Sequence, residues 1–408
     1  MTRSDHPAHD APASPIASDV RPDSHAIVEA GLDIIYRRGL PGLTLRPLAA
    51  QVGVSVTAIS TRLGTKEQVI EHLIEGALQR ETHFFDRWLA LYARTAPSDS
   101  AARAALSDLA FRDWIGPSRA QPMFLIELIH EHALRPVSSP ALERWIEAAG
   151  AFWSTLIFGV ADHAELALGY MVDEVTFALG NEQDAGYSLL RILCLQRLAA
   201  GIFMPDGGDC GTIERLIAAL EPAVLPASPG DDPKRRKIAE GTAQILVHEG
   251  MEAVTHRSVA LAAQVPASTV VYHFGTQPAL VMAGLNAVIL RFHGMLERVG
   301  EAYTAPKEDA ETRNVTKATS MLALASLREP SLLSHALEMR RRRGDRIRAS
   351  DLPGLGFQSG AGFDRAAGQV IALAVYGMRM VAMARQIPER ASYRSAFRTL
   401  EAGIRPHP

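Results

Sequence analysis

Cysteine is nearly absent from this 408-residue chain. Cys194 lies in an apolar helical run and Cys210 in the loop Pro205-Asp-Gly-Gly-Asp-Cys210-Gly. Two such residues make neither a disulfide framework nor a metal motif, and acidic surroundings keep a thiol protonated, which argues against a redox switch at Cys210. An excess of one charge is lacking too. The 42 Lys and Arg against 45 Asp and Glu leave a formal charge of −3, so DNA affinity would have to come from local basic patches. β-branched alternating runs are scarce, which excludes a sheet-based fold. No run approaches membrane-span length, and Met1 to Ser24 lacks the apolar core of a signal peptide. The expectation is a cytoplasmic protein, not membrane-bound, with residues 1–21 as a disordered leader. No nucleotide-binding glycine loop, Ser-His-Asp set or supported carboxylate pair occurs, so neither an enzyme nor a cofactor is expected.

What the chain does have is itself, twice. Ile27-Val-Glu29-Ala-Gly-Leu-Asp-Ile34 is matched 211 positions later by Ile238-Ala-Glu240-Gly-Thr-Ala-Gln-Ile245. The same shift pairs Gly39 with Gly250, Thr44 with Thr255, Arg46 with Arg257, Val54 with Val265 and Gly64-Thr65 with Gly275-Thr276. A fixed-period repeat decides the architecture before any site is considered. Apolar residues recur at three and four spacings almost throughout, which predicts an all-α fold. Helical patterns run through 68–93, 103–114, 121–134, 141–158, 161–179, 184–203 and 211–220. Pro222, Pro226, Pro229 and Pro233 then mark a boundary that no helix crosses. Ala185 to Arg197 resembles Ala367 to Arg379 at a shift of 182, so the second copy has lost 29 residues between its head and its last helices.

Thr44-Leu-Arg-Pro-Leu-Ala-Ala-Gln-Val-Gly53-Val-Ser55-Val-Thr-Ala-Ile-Ser-Thr-Arg62 has the grammar of a helix-turn-helix. Thr44 is a good N-cap, Gly53 suits a left-handed helix end, and Ser55 caps the next helix. That short helix offers Val56, Thr57, Ser60 and Thr61 to a major groove, as its copy offers Ser268 and Thr269.

With the amphipathic helix ending Arg37-Arg38-Gly39 before it and Gly64-Thr65-Lys66-Glu67 after it, the segment resembles the N-terminal domain of the TetR/AcrR family of transcriptional regulators. Tyr272-His273-Phe274-Gly-Thr is similar to the aromatic-His-Phe run that closes that family's recognition helix. The resemblance covers about fifty residues of each head, and the bodies match in plan alone. It implies that Thr44 and Thr255 cap and touch phosphate, and that Arg46 and Arg257 reach the groove edge. It also implies that Lys66 meets phosphate at a helix N-terminus and that Tyr272 and His273 do so in the second copy. Both copies depart from the pattern. The first has Ser60 and Arg62-Leu63 in place of the aromatic-His-Phe run. The second has Gln264 for the turn glycine, Pro266 for the capping serine and Gln277-Pro278 where the lysine belongs. Lys234-Arg235-Arg-Lys237 offers a compensating basic arm, or else a solvated helix start.

Three other signals compete. Arg340-Arg-Arg-Arg343, with Arg346 and Arg348, reads as a solvated helix end or as internal salt-bridge partners before it reads as a DNA contact. His130 and His132 are two apart and point to different helix faces, which disfavours a metal site with Glu127 and Glu131. Trp88, Trp114, Trp145 and Trp153 all fall in the first body; such residues mostly build core, but Trp114, Phe124 and Trp153 are candidates to line an effector pocket. Tyr376, Met378, Met380 and Met383 read as packing or interface.

The resulting expectation is two fused TetR-like units, with heads at 22–70 and 234–281. Their bodies are 71–221 and 282–408, separated by a Pro-rich linker at 222–233. Such a chain would be an intramolecular pseudo-dimer, with room for further homodimerisation. It would be a ligand-responsive regulator, a repressor, whose partners are double-stranded operator DNA with unequal half-sites and a small-molecule effector. The rival expectation is a ligand-binding or protein-interaction module that kept the fold and lost DNA recognition.

Overall fold

The computed structural model describes residues 23–117, 119–135, 137–202, 210–220, 224–226, 232–297, 310–345, 347–350, 352 and 363–387. Among them every regular element is helical and no strand occurs, so the fold is all-α. The leader at 1–21, the loop before Cys210, that residue's side chain, Arg346 and most of the Pro-rich linker lie outside the described residues.

The first half runs α1 (Ser24–Gly42), α2 (Leu45–Val52), α3 (Val56–Leu63), α4 (Lys66–Thr95), α5 (Ser100–Ile115), α6 (Ala120–Leu134), α7 (Pro140–Phe158), α8 (Ala164–Asn181), α9 (Ala185–Ala199) and α10 (Cys210–Ala219). The second half runs α11 (Pro233–Glu249), a 3-10 turn at Met251–Ala253, α12 (His256–Ala263), α13 (Ala267–His273) and α14 (Gln277–Glu297). It continues with α15 (Ala310–Ser326), a 3-10 turn at Pro330–Leu332, α16 (Leu333–Arg341) and α17 (Arg365–Ala384). Pro233 opens α11 at its first position, where a missing N–H costs nothing, and Asp232 caps it by accepting from the amides of Lys234 and Arg235. The expected divisions after residues 70 and 281 fall inside α4 and α14, so in each half one continuous helix joins head to body. The apolar periodicity of these helices passes from one packing partner to the next without a break for a turn residue to mark.

The two halves share one hydrophobic core. Its spine is the crossing of α8 with α17, where Gly169 and Gly377 meet: a Cβ on Gly377 would overlap the carbonyl of Gly169. Small residues let two backbones approach closely, and any larger side chain here would force the helices apart. Among the described residues α17 alone is long and apolar enough to cross a membrane, contrary to the expectation that no run approaches that length. Its apolar surface is spent inside the protein, with 89% of its most apolar window buried.

Buried ion pairs cross the same junction. Arg340 is fully buried and grips Glu174 of α8 through Nε at 3.1 Å and Nη2 at 2.8 Å, while its Nη1 donates to Gln369 of α17 at 2.7 Å. Tyr187 donates to the same carboxylate at 2.6 Å. Burial pushes the Glu174 carboxyl up, but the Arg340 guanidinium outweighs it and holds the group below the usual range. Arg343 binds Asp173 with two bonds of 3.0 Å and lies over the Tyr376 ring at 4.3 Å. Arg341 and Arg342 pair with Glu338. Of the three readings of this arginine run, the structure takes the internal salt-bridge one: Arg340 and Arg343 lock the second half onto the first, while Arg341 and Arg342 pair within their own half.

Candidate nucleic-acid interface

Each head builds a helix, a three-residue turn and a second helix, α2–α3 in the first and α12–α13 in the second. The turn needs a left-handed residue, and both copies supply one: Gly53 at φ 76°, ψ 30° and Gln264 at φ 53°, ψ 47°. The backbone geometry is therefore kept at Gln264 despite a strain of about 1 kcal/mol for a residue with a Cβ.

Capping differs between the copies. Thr44 takes the N-cap position of α2 but makes no side-chain cap bond. The third residue of that helix is Pro47, which has no N–H to donate, so the expected cap is absent for a covalent reason. Thr255 has Ser258 at the equivalent place and forms a reciprocal capping box with it. In the second helix the advantage reverses. The Ser55 hydroxyl accepts from the Ala58 amide at 3.0 Å, whereas Pro266 has no acceptor side chain to offer.

Most of the residues singled out for DNA are exposed, with exceptions. Thr44, Arg46, Val56, Thr57, Thr61 and Arg62 are exposed, Ser60 is half-buried with its hydroxyl bonded to the Thr57 carbonyl, and Lys66 is half-buried at the start of α4. In the second head Lys234, Arg235, Thr255, Arg257 and Ser268 are exposed, Thr269 is half-buried, and Tyr272 is 84% exposed. Arg46 and Arg257 have no carboxylate partner among the described residues. His273 is less available: its ring is mostly covered, with Nδ1 3.5 Å from Asp232. Arg235 lies over the Phe274 ring at 5.1 Å, and Gln277 donates to the Val254 carbonyl at 2.8 Å instead of presenting a charge. Leu261, unremarked in the sequence, is 82% exposed on α12 beside Arg257. Its counterpart in the first head is Ala50, so no shared pattern drew attention to it.

Trp114, Phe124 and Trp153 line none of the three cavities described below. All three are fully buried, with Trp114 and Trp153 5.3 Å apart and Phe124 edge-on to Trp145 at 5.9 Å. The rings fill the space they were expected to enclose, as interiors at crystal-like density do. Beside them sits Glu81, fully buried, with neither carboxylate oxygen hydrogen-bonded among the described residues. Burial pushes it up to about 8, with the Trp114 indole pulling the other way, so it is largely protonated at neutral pH.

Open space lies elsewhere. A cavity of about 250 Å³ opens between α7, α8 and α17, and one of about 260 Å³ between α11, α14 and α15. A cleft of about 740 Å³ runs between both heads and both bodies. The sequence signal for it was His130-Glu131-His132, which lies on its wall. Among the described residues no three His, Cys, Asp or Glu side chains converge on a metal position.

Compared with models of known protein families the chain matches none, and compared with curated proteins it again matches none. The functional reading rests on the geometry above.

Proposed function

We propose that the chain is a ligand-responsive DNA-binding transcriptional regulator, acting as a repressor in the cytoplasm. In this reading it is two fused TetR-like units forming an intramolecular pseudo-dimer. The observation that carries the proposal is the duplicated helix-turn-helix: the same left-handed turn, 211 residues apart, each time followed by a short helix with exposed polar side chains, Thr57, Thr61 and Arg62 in one and Ser268 and Tyr272 in the other. A pair of such heads reads adjacent major grooves when their spacing matches one helical turn, ~34–36 Å. Arg46 and Arg257, at equivalent positions and with no carboxylate partner among the described residues, are the residues this reading assigns to the groove. An effector that favours one head arrangement releases DNA through its differential affinity for the two states.

Gel shift against the chain's own upstream region over a salt series tests this. A specific complex whose affinity falls steeply with salt is expected, and Arg46→Ala and Arg257→Ala should each weaken it by about 1–3 kcal/mol. No specific complex at low salt overturns the regulator reading.

The His273–Asp232 pairing favours a second reading for one half only. Asp232 presents a carboxylate where a phosphate would come, so the second head would be a positioning module and the first the reader. Loss of binding by Arg46→Ala with no effect of Arg257→Ala would establish that division.

A further inference from the structure

The elbow of each head rests on the opposite half of the chain. Gly39 ends the regular part of α1 at φ 77°, ψ 168°, and Gly250 ends α11 at φ 86°, ψ 176°. These are the same repeat position, in a backbone region open essentially to glycine alone. Against Gly39 lies Arg328 of the second half, which donates to the Ile35 carbonyl at 3.1 Å and pairs with Glu127 of α6; Glu127 also accepts from the Leu40 amide. Near Gly250 lies Leu134 of the first half, and the neighbouring Arg135 donates to the Glu249 carbonyl at 2.9 Å. Two crossed braces thus hold the two heads.

The cleft of about 740 Å³ lies at the crossing of these braces. Its wall includes the end of α1 at Leu40 and Pro41, the start of α4, the end of α6 and residues 249–252. Met321 and Leu324 close it from α15. That volume lies within the range of small-molecule sites, ~300–1,000 Å³, and the wall is mostly apolar, as such sites are. Its charge is one-sided. Glu67, Glu71, Glu127, Glu131, Glu249 and Glu252 stand against Lys66, Arg135 and Arg328. His130 does not redress the balance, because desolvation pulls its ring down to about 4 and leaves it neutral. It also lines the cleft with Nε2 buried and without a hydrogen-bond partner among the described residues, while a hydrogen bond to the Lys317 backbone engages the ring. A buried polar atom without a partner is a standing cost that a ligand group can relieve.

We propose that this cleft is an effector site created by the fusion of the two halves, and that it takes an apolar molecule carrying a protonated amine. The apolar part lies against Met321, Leu324 and Ile70, and the ammonium group faces the carboxylate excess, with an N–H for His130. Because Arg135 and Arg328 belong both to the wall and to the braces, an occupant here changes the setting of both heads at once. That regulatory consequence rests on the regulator reading; the binding site does not.

Calorimetric titration of the full chain with n-octylammonium, 1-octanol and n-octyl sulfate decides it. The three probes share one chain and differ in head-group charge. Saturable binding of octylammonium, at least tenfold tighter than that of the other two, is expected. Val137→Trp, a change at a half-exposed position on the rim, should abolish it while leaving the melting profile unchanged. Glu131→Gln with Glu252→Gln should erase most of the preference for the cation. Equal binding of alcohol or sulfate, or octylammonium binding unaffected by Val137→Trp, overturns the site. Where a specific DNA complex forms, saturating octylammonium should shift its affinity at least tenfold in the parent chain and not in Val137→Trp; binding without such a shift overturns the regulatory consequence. A chain that binds octylammonium as described but forms no DNA complex removes the regulator reading and leaves the site standing.

Discussion

The two halves of this chain share the backbone of their heads and little of the chemistry that holds it. In the first, Gly53 turns the chain and Ser55 caps the second motif helix, while Pro47 denies Thr44 its cap bond. In the second, Thr255 and Ser258 form the box, and Gln264 and Pro266 stand where the turn glycine and capping serine were. The bodies diverge further. The first is an aromatic-rich core with a carboxyl sealed inside it; at the position 211 residues after Glu81 stands Phe292, buried at 6% exposure. The second is short and contributes arginines that plug into carboxylates of the first. A conformation can thus outlive the residues that first specified it, provided each loss is met somewhere in the same unit.

The largest test asks whether the halves are one unit at all. Arg340→Ala leaves Glu174 buried without its cation, and should cost about 3–5 kcal/mol, whereas replacing both partners with methionine should cost far less. Denaturant melts followed in both halves should lose their midpoints together. Separate transitions would make this a comparison of two independent proteins.

Next is the contrast between Glu81 and Phe292. Glu81 binds its proton more tightly in the folded state, so between its unfolded value near 4.5 and about 8 unfolding releases a proton. Its contribution is fully present below the unfolded value, and stability falls as pH rises, by up to ~1.4 kcal/mol per unit across that window. Glu81→Gln should flatten that slope in melts taken from pH 5 to pH 8. An unchanged slope would mean that the first half carries no such cost.

The elbows come third. Gly39→Ala and Gly250→Ala both place a Cβ at positive φ, for about 1–3 kcal/mol each. Gly39→Ala should be the worse, since its Cβ would lie 3.1 Å from the Arg328 guanidinium carbon against 3.6 Å from Leu134 for Gly250. Equal midpoints for the two variants would show that the brace at Arg328 yields as readily as the contact at Leu134. The smallest effect exchanges caps: Ser55→Ala should cost about 1 kcal/mol, and Pro266→Ser should recover a similar amount or less. Both are read from urea midpoints, and a loss on Pro266→Ser would show that proline's fixed φ matters more there than a cap.

Much of the fold was legible in the chain itself. Helix identity follows from three- and four-residue apolar spacing, a local property, and the expected runs at 121–134 and 141–158 differ from α6 and α7 by one residue at one end. The duplicated turn was legible for the same reason: a left-handed residue and its neighbours fix a turn within a few residues, and Gly53 announces it. Long-range matters were not legible. Whether Arg340 meets water or Glu174 depends on where a helix 166 residues away comes to lie. Trp114 and Trp153 looked like candidate pocket walls and are fully buried against each other, because packing is settled by every neighbouring element together. The cleft between the heads is built from five separate stretches of chain, each unremarkable alone. By itself the sequence determined the helices, the repeat and the strained turns, since those rest on contacts between near neighbours. Only the tertiary structure decided which charges are buried, where space remains and which half holds which head, since burial and cavities exist only once distant surfaces have met.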